Sequence, residues 1–250
     1  MTSRAKSGGP ARLLAALALL LLCAWAVNQA ARLGWASFQA IEARALLKRA
    51  MEGSGAMNAQ NWSRARSGLL IALEWDPDNP EYHQAMADLY LLRLMRVQGD
   101  RSKMTPYFEV ALQHFHRAAA LRPTWPFSHA GIVVVKQQMG RIDADFKHAL
   151  VMASRYGPWE AAVQDQLIVA GFGSWSALDE PAREIIRGNL RRAHQSRPQQ
   201  SAALLAALKP LAPPCGQLAV HLPNACAAPV PTAPTAPRTP GAAAARKGAT

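Results

Sequence analysis

The histidines are the first residues in this chain that could do chemistry, because imidazole is the commonest metal ligand in proteins. Seven are present, and His114 and His116 form the tightest pair. Residues two apart on a helix point about 200° away from one another, so these two rings cannot bind the same metal ion. We expect both rings to lie at the edge of a core or in solvent.

Two pairs of aspartates come next, because neighbouring carboxylates can act as general acid and base. Asp76 and Asp78 flank a proline, and Asp143 and Asp145 precede a helical pattern. Acids are common in turns, and at the start of a helix they are stabilised by its dipole. The sequence also has no glycine-rich phosphate loop. We therefore expect no catalytic residues, no metal site, no cofactor and no enzymatic activity.

The chain has 250 residues and a formal net charge of +12, which at first suggests a polyanionic partner. All acidic residues lie between Glu42 and Glu184, where bases balance them, and the excess bases lie outside this stretch. A folded nucleic-acid-binding domain would carry its basic patch on the ordered core, so we expect no nucleic acid partner. Long alternating β-branched runs are missing from the sequence, which argues against an all-β fold.

One segment is suited to a membrane. No charge occurs from Leu13 to Ala31, and a helix of that length spans about 28 Å, close to the hydrocarbon thickness of a bilayer. The basic start over residues 1–12 favours a cytoplasmic N-terminus, and Trp25 and Trp35 would lie near the outer interface. The sequence therefore predicts a single transmembrane helix followed by an exported domain.

A cleaved signal peptide is the alternative, since it has the same basic start and a shorter apolar core. Ala24-Trp25-Ala26 has the small residues of a cleavage site, which would release a periplasmic domain near Ala26. The uncharged run continues past this point without a turn-forming residue, which favours the anchor. Cys23 does not suit a lipoprotein, because Leu22 precedes it where a small residue is needed.

Beyond the apolar run, an amphipathic pattern from Trp35 to about Met57 predicts that the membrane helix continues into the folded domain. The residues expected on its apolar face are Phe38, Ile41, Ala45, Leu46 and Ala50.

Two later segments, residues 61–77 and 106–123, share one helical pattern that ends in a proline. Its positions lie on one face of a helix, where alanine lets a neighbouring helix approach closely and the final proline stops the helix. The matching residues are Trp62 and Phe108, Ala65 and Ala111, Leu69 and Phe115, and Ala72 and Ala118.

This pattern resembles the second helix of a tetratricopeptide repeat, and Met86, Ala87 and Tyr90 supply the first-helix pattern. The resemblance implies an all-α fold, a solenoid of antiparallel helical hairpins over residues 32–212. The extra residues in the second repeat are expected to form a lengthened loop over Arg96–Thr105.

A third, more degenerate hairpin is expected to begin at Trp125 and to turn at Gly140-Arg141. Residues 159–171 and 181–194 are expected to form two capping helices, because Asp179-Glu180 is a suitable helix start.

Stacked hairpins present a groove that is lined mainly by the first helix of each pair. Alignment with the repeat family places five residues on that side as candidates for contact with a partner. They are Glu81, Gln84, Asp88, Phe127 and Gln137. A solvated helix face is the competing interpretation of the same residues.

The C-terminal region contains two of the three cysteines. Cys215 and Cys226 enclose a short segment within residues 213–226, which in an exported protein is expected to close as a disulfide loop. In a cytosolic protein they would be two idle thiols. Residues 227–250 are rich in alanine and proline, and we expect a disordered tail there.

A sharper resemblance lies between residues 121 and 164. Its markers are Trp125-Pro126, Lys136, Gly140-Arg141, Gly157-Pro158-Trp159-Glu160 and Gln164. With these markers and the same layout over residues 10–226, the chain resembles the VpsP-type exopolysaccharide biosynthesis proteins of Gram-negative bacteria. The resemblance implies a non-enzymatic accessory protein of an envelope polysaccharide assembly or export complex, with no catalytic residues to carry over.

The leading hypothesis is therefore a single-pass inner-membrane protein whose periplasmic helical repeats bind other proteins of such a complex. A general envelope scaffold for secretion, pilus or cytochrome assembly is the first alternative. The second is a carbohydrate-binding module, which would need at least two of four aromatic residues exposed in one groove. Those residues are Trp125, Phe127, Trp159 and Trp175.

Overall fold

The apolar N-terminal segment and the amphipathic segment after it form one continuous helix, α1 (Gly9–Met51). It is part of a computed structural model that describes residues 9–53, 55, 57–96, 101–208, 211 and 218. Leu14, Leu17 and Leu21 are each more than half exposed. Among the described residues, α1 is the one helix that is long and apolar enough to span a membrane.

Helices also make up most of the rest of the described chain, which contains no strand. They are α2 (Ala59–Trp75), α3 (Pro80–Arg96), α4 (Arg101–Leu121), α5 (Pro126–Met139), α6 (Ala144–Tyr156), α7 (Ala161–Gly173), α8 (Glu180–Ser196) and α9 (Pro198–Ala207), with a short 3₁₀ helix at Trp175–Ala177. All of these helices belong to one compact unit.

The C-terminal part of α1 packs against α2 through a face of small residues. A Cβ atom on Gly68 of α2 would lie 2.6 Å from the carbonyl oxygen of Gln39, so the two backbones approach closely. Small side chains suit such an approach, and they recur at intervals of three and four along α1. The buried residues are Ala36, Ala40, Ala43, Leu47 and Ala50.

The predicted apolar face of this helix is therefore largely wrong. Phe38 and Ile41 are 63% and 56% exposed, and of the predicted residues only Ala50 is buried. The sequence pattern selects bulky side chains, whereas the contact between α1 and α2 requires small ones. The helix also ends at Met51 and not near Met57.

Consecutive helices pack in pairs, α1 on α2, α3 on α4, α5 on α6 and α7 on α8, and each pair contacts the next. Seven of the eight residues of the shared sequence pattern are buried in this arrangement, and Trp62 is partly exposed. At most 1% of the surface is exposed at Ala65, Leu69, Ala72, Ala111, Phe115 and Ala118.

The connection between α3 and α4 differs from the predicted loop over Arg96–Thr105. Helix α4 begins at Arg101 and continues through Pro106, so the extra residues of this repeat lengthen the helix to 21 residues. Because proline lacks an N–H, Pro106 cannot make the helical hydrogen bond to the preceding turn. The loop prediction is wrong for residues 101–105.

The third pair begins and turns where the sequence predicts. Helix α5 ends at Gly140, whose φ of 73° is in the left-handed region that glycine tolerates. Helix α6 then begins after Asp143, whose carboxylate accepts a hydrogen bond from the Phe146 N–H at 3.0 Å. The two helices predicted over residues 159–171 and 181–194 are present as α7 and α8, with ends shifted by up to two residues, and α9 packs on α8.

Three predictions fall outside the described residues. They concern residues 1–8 of the basic start, the disulfide between Cys215 and Cys226, and the tail over residues 227–250.

Candidate binding groove

A groove of about 490 Å³ lies between α1, α3 and the residues that join α4 to α5. Its walls combine apolar surface with charged groups from each of these three elements. The lining residues are Arg44, Leu47, Lys48, Met51, Glu52, Pro80, Glu81, Gln84, Ala85, Asp88, Arg122 and Trp125. A cavity of this volume has the size of a site for a small ligand or for a few side chains of a partner.

The structure brings three of the five candidate contact residues together in this groove. Glu81, Gln84 and Asp88 lie at intervals of three and four on α3 and line one wall. Phe127 does not line the groove, but its ring centroid is 5.0 Å from that of Trp125, which does. Gln137 lies apart on α5, where a Cβ atom on Gly173 of α7 would be 2.6 Å from its Nε2.

The contribution of α1 to the groove was not predicted. Arg44, Leu47 and Lys48 line the groove from α1, whereas the sequence pattern predicts only an apolar face for this helix. The spacing of Ala36, Ala40 and Ala43 was the available signal, because it identifies the face that packs on α2 and leaves Arg44 and Lys48 beside it.

A chain of hydrogen bonds fixes the acid in the α3 wall. The Ser128 hydroxyl donates to Gln84 Oε1 at 2.6 Å, and Gln84 Nε2 donates to both carboxylate oxygens of Asp88 at 3.2 Å. The amide of Gln84 is therefore held with its NH₂ group towards Asp88. Although the side chain of Asp88 keeps partial exposure, desolvation by the surrounding protein raises its pKa to about 7, against the smaller lowering effect of the Gln84 hydrogen bond.

The other charged residues of the groove have partners at its rim. Arg44 lies 3.4 Å from Glu81, and Lys48 lies 3.9 Å from Glu52. The guanidinium of Arg122 lies 3.9 Å from the centroid of the Trp125 ring, which is a close cation–π contact. The two exposed ion pairs, Arg44 with Glu81 and Lys48 with Glu52, contribute little to stability, but their charges offset each other along the rim.

The four aromatic residues of the carbohydrate hypothesis do not share this groove. Trp175 is buried, with Phe172 packed edge-on against it. Trp159 is 64% exposed but is not part of the groove lining, and Trp125 already contacts both Arg122 and Phe127. The condition of two exposed aromatic residues in one groove is not met by the four residues named.

The side chains of His114 and His116 contact different partners, as the helical geometry predicts. His114 Nδ1 lies 2.9 Å from His83 Nδ1 on α3, whereas His116 Nε2 lies 3.2 Å from Asp145 on α6. The described residues hold no group of three or more acidic, histidine or cysteine side chains that could bind a metal ion.

The contact between His83 and His114 determines their tautomers. His83 Nε2 is 2.9 Å from the Pro77 carbonyl oxygen, which can only accept, so this nitrogen carries a proton. In neutral His83 the Nδ1 atom is then an acceptor, and His114 Nδ1 must donate to it. Burial, with the neighbouring His83 as a second cause, lowers the pKa of His114 to about 4.

Acidification is expected to destabilise the protein through His114. Because the folded pKa of about 4 lies below the ordinary 6.5, the unfolded chain binds more protons as the pH falls through this interval. Allowing for the partial exposure of the ring, we expect a loss of about 1–2 kcal/mol between pH 7 and pH 4. The His114→Gln protein, measured by urea denaturation beside wild type, should lack this part of the pH dependence.

The raised pKa of Asp88 has the opposite effect in the same interval, so the difference between the two proteins is the informative quantity. Identical pH profiles for wild type and His114→Gln would contradict the assignment.

The paired aspartates have structural partners. Lys136 Nζ lies 2.6 Å from Asp143 and 2.9 Å from Asp145, and its ammonium is nearly buried. Burial opposes that charge, but the two carboxylates outweigh it and raise the pKa of Lys136. Asp78 pairs with Arg117, and Asp76 accepts a hydrogen bond from Asn79. The four acids lie in a turn and at the start of a helix, as predicted.

No family model, curated protein or solved structure matches this chain. Its function therefore has to be inferred from the groove and from helix α1.

Proposed function

We propose that this protein is a non-enzymatic membrane adaptor, in which α1 anchors a helical-repeat domain that binds a partner protein in its groove. One observation carries the proposal: α1 contains both the exposed apolar segment and one wall of the groove. The helix rises about 20 Å from Ala31 to Arg44. A partner segment in the groove would therefore be held close to the membrane surface.

The architecture we propose is a solenoid like that of tetratricopeptide repeats. The packing of consecutive helices in pairs supports it, and so does the burial of the shared sequence pattern in α2 and α4. The groove lies against the first helices of the first two pairs, which is the surface that such solenoids use for binding.

The proposed topology is a single pass through the bacterial inner membrane. Arg4, Lys6 and Arg12 precede the apolar segment, which favours a cytoplasmic N-terminus and a periplasmic domain. The helix continues unbroken past Ala26, which supports an anchor over a cleaved signal peptide. Cleavage near Ala26 would leave a periplasmic protein with the same groove.

The proposed process is the assembly or export of an envelope polysaccharide. It rests on the resemblance of residues 121–164 to VpsP-type proteins, and the partners would be other proteins of that complex. A general envelope scaffold with the same groove is the alternative.

A complementation experiment tests this proposal. In a strain that lacks the gene, secreted polysaccharide should fall and should return when the full-length gene is supplied in trans. A groove variant, Gln84→Ala with Arg122→Ala, should fail to restore it at equal expression. The matched control is Gln60→Ala with Arg64→Ala, which carries the same changes at exposed positions outside the groove. Unchanged polymer amount and chain length in the deletion strain would refute the polysaccharide role and leave the scaffold.

A further inference from the structure

The carboxylate of Asp88 has unused hydrogen-bonding capacity in the groove. A carboxylate can accept about four hydrogen bonds. Within the described part of the chain, Asp88 accepts only from the single NH₂ group of Gln84, at 3.2 Å to each oxygen. Gln84 is itself held by Ser128, so its amide cannot turn away without losing the 2.6 Å hydrogen bond. The remaining acceptor positions of Asp88 are available to a donor that enters the groove.

Asp88 also differs from the other acidic residues that line the groove. Glu81 faces Arg44 at 3.4 Å, and Glu52 faces Lys48 at 3.9 Å. In the described structure, no basic group forms an ion pair with Asp88. The negative charge that a ligand meets beyond the rim is therefore that of Asp88.

Asp88 lies in a partly apolar groove, where the described residues provide no counter-ion. Burial opposes its ionisation. Unpaired acids in partly apolar clefts are costly to the folded protein, and such groups concentrate at binding sites. The groove lining also includes Leu47, Met51 and Ala85, which offer apolar contacts to the stem of a long side chain.

We propose that the groove binds a polypeptide segment that presents a lysine or arginine side chain to Asp88. The inference rests on the proposed function, since it names the chemistry of the partner in the same groove. The cationic head pairs with the carboxylate, and its aliphatic stem packs on the apolar wall. An acidic segment is disfavoured, because Arg44 and Lys48 already have acidic partners at the rim, the guanidinium of Arg122 is stacked on Trp125, and Asp88 would repel it.

A dependence on pH follows from this arrangement. The other charged groups that line the groove are Arg44, Lys48 and Glu52 from α1, Glu81 from the same helix as Asp88, and Arg122 before α5. The pKa of Asp88 is raised to about 7 by burial. A basic side chain binds the ionised form, so affinity should fall about tenfold from pH 8 to pH 6.

The test is a selection of random twelve-residue peptides on phage against the full-length protein in lipid nanodiscs at pH 8. Peptides that bind wild type, and that lose binding to the Gln84→Ala protein, should share a lysine or arginine. Synthetic copies should bind the Asp88→Asn protein at least tenfold more weakly. The matched control is Asp78→Asn, which makes the same change at an exposed acid outside the groove and should change affinity by less than about twofold.

A second measurement does not depend on any peptide. The Asp88→Asn substitution keeps the shape of the side chain and an oxygen that accepts from Gln84, but it removes the ionisable group. The unliganded variant should therefore melt at a higher temperature than wild type at pH 8. The difference should shrink as the pH falls below about 7, because the folded pKa of Asp88 is raised and its stabilising proton is then bound.

The outcomes separate the two proposals. Groove-binding peptides that lack a basic residue, that are acidic, or that bind the Asp88→Asn protein equally well would overturn the role of Asp88 and leave the proposed adaptor function intact. Failure to recover any peptide that depends on the groove would overturn both.

Discussion

Arginine at positions 17 and 21 is expected to abolish the association of this protein with the membrane. Leu17 and Leu21 lie one turn apart on the exposed apolar part of α1. An arginine at the centre of a membrane helix costs about 3 kcal/mol, whereas leucine is favourable there, so the double substitution costs about 6–7 kcal/mol. Fractionation with a carbonate wash should find wild type in the pellet and Leu17→Arg, Leu21→Arg in the supernatant.

The matched control places two arginines on exposed apolar positions elsewhere. Leu70 on α2 and Val151 on α6 are 43% and 45% exposed, and Leu70→Arg with Val151→Arg should stay in the pellet. Circular dichroism should show that both variants remain helical. A wild-type chain recovered from the supernatant and beginning near residue 27 would identify the segment as a cleaved signal peptide.

Replacement of Phe115 by alanine is expected to destabilise the folded domain by about 3–5 kcal/mol. Phe115 is 1% exposed on α4, and a Cβ atom on Gly131 of α5 would lie 2.3 Å from its ring. The ring therefore joins the second helix pair to the third. Its removal loses the burial of an aromatic side chain and leaves a cavity between two helices. Urea denaturation followed by circular dichroism measures the change.

The same contact predicts that the effect of Gly131→Ala on the free energy of unfolding changes sign when Phe115 is replaced by alanine. In wild type, Gly131→Ala should destabilise by about 1–3 kcal/mol, because its methyl group clashes with the ring. In the Phe115→Ala background the methyl group enters the cavity, and the preference of alanine for helix should make the change neutral or stabilising.

Gly188→Ala is the control for helix propensity, because a Cβ atom there would meet only the end of the Arg192 side chain at 3.5 Å. It should stabilise by up to about 1 kcal/mol in either background. Additive effects of Phe115→Ala and Gly131→Ala would show that the ring and the glycine do not share the contact.

The helices could be predicted from the sequence because their signals are local. The prolines after α2 and α4, Gly140 after α5 and Asp179 before α8 act within one turn of the helix end that they define. The buried positions of α2 and α4 also follow from spacing alone, since alanines and bulky residues at intervals of three and four share one face. The loop prediction over Arg96–Thr105 failed in its second half, because the extra polar residues of this repeat extend α4 instead of forming a loop.

Part of the groove could be predicted in the same way. Glu81, Gln84 and Asp88 belong together on any helix, because their spacing of three and four aligns them. Phe127 and Gln137 belong to another helix, and their distance from the groove depends on how α5 packs against α3, α4 and α7. No periodicity within one segment contains that information.

The sequence alone determined the class of the protein: an apolar segment long enough for a bilayer, joined to a domain of paired helices. Helix length, hydropathy and helix ends depend on residues close together in the chain, so they are visible before folding. The tertiary structure decided which face of α1 is buried, that α1 forms a wall of the groove, and that Asp88 has no counter-ion within the described part of the chain. These properties depend on the approach of helices distant in sequence, where the size of a few alanines and glycines sets the geometry.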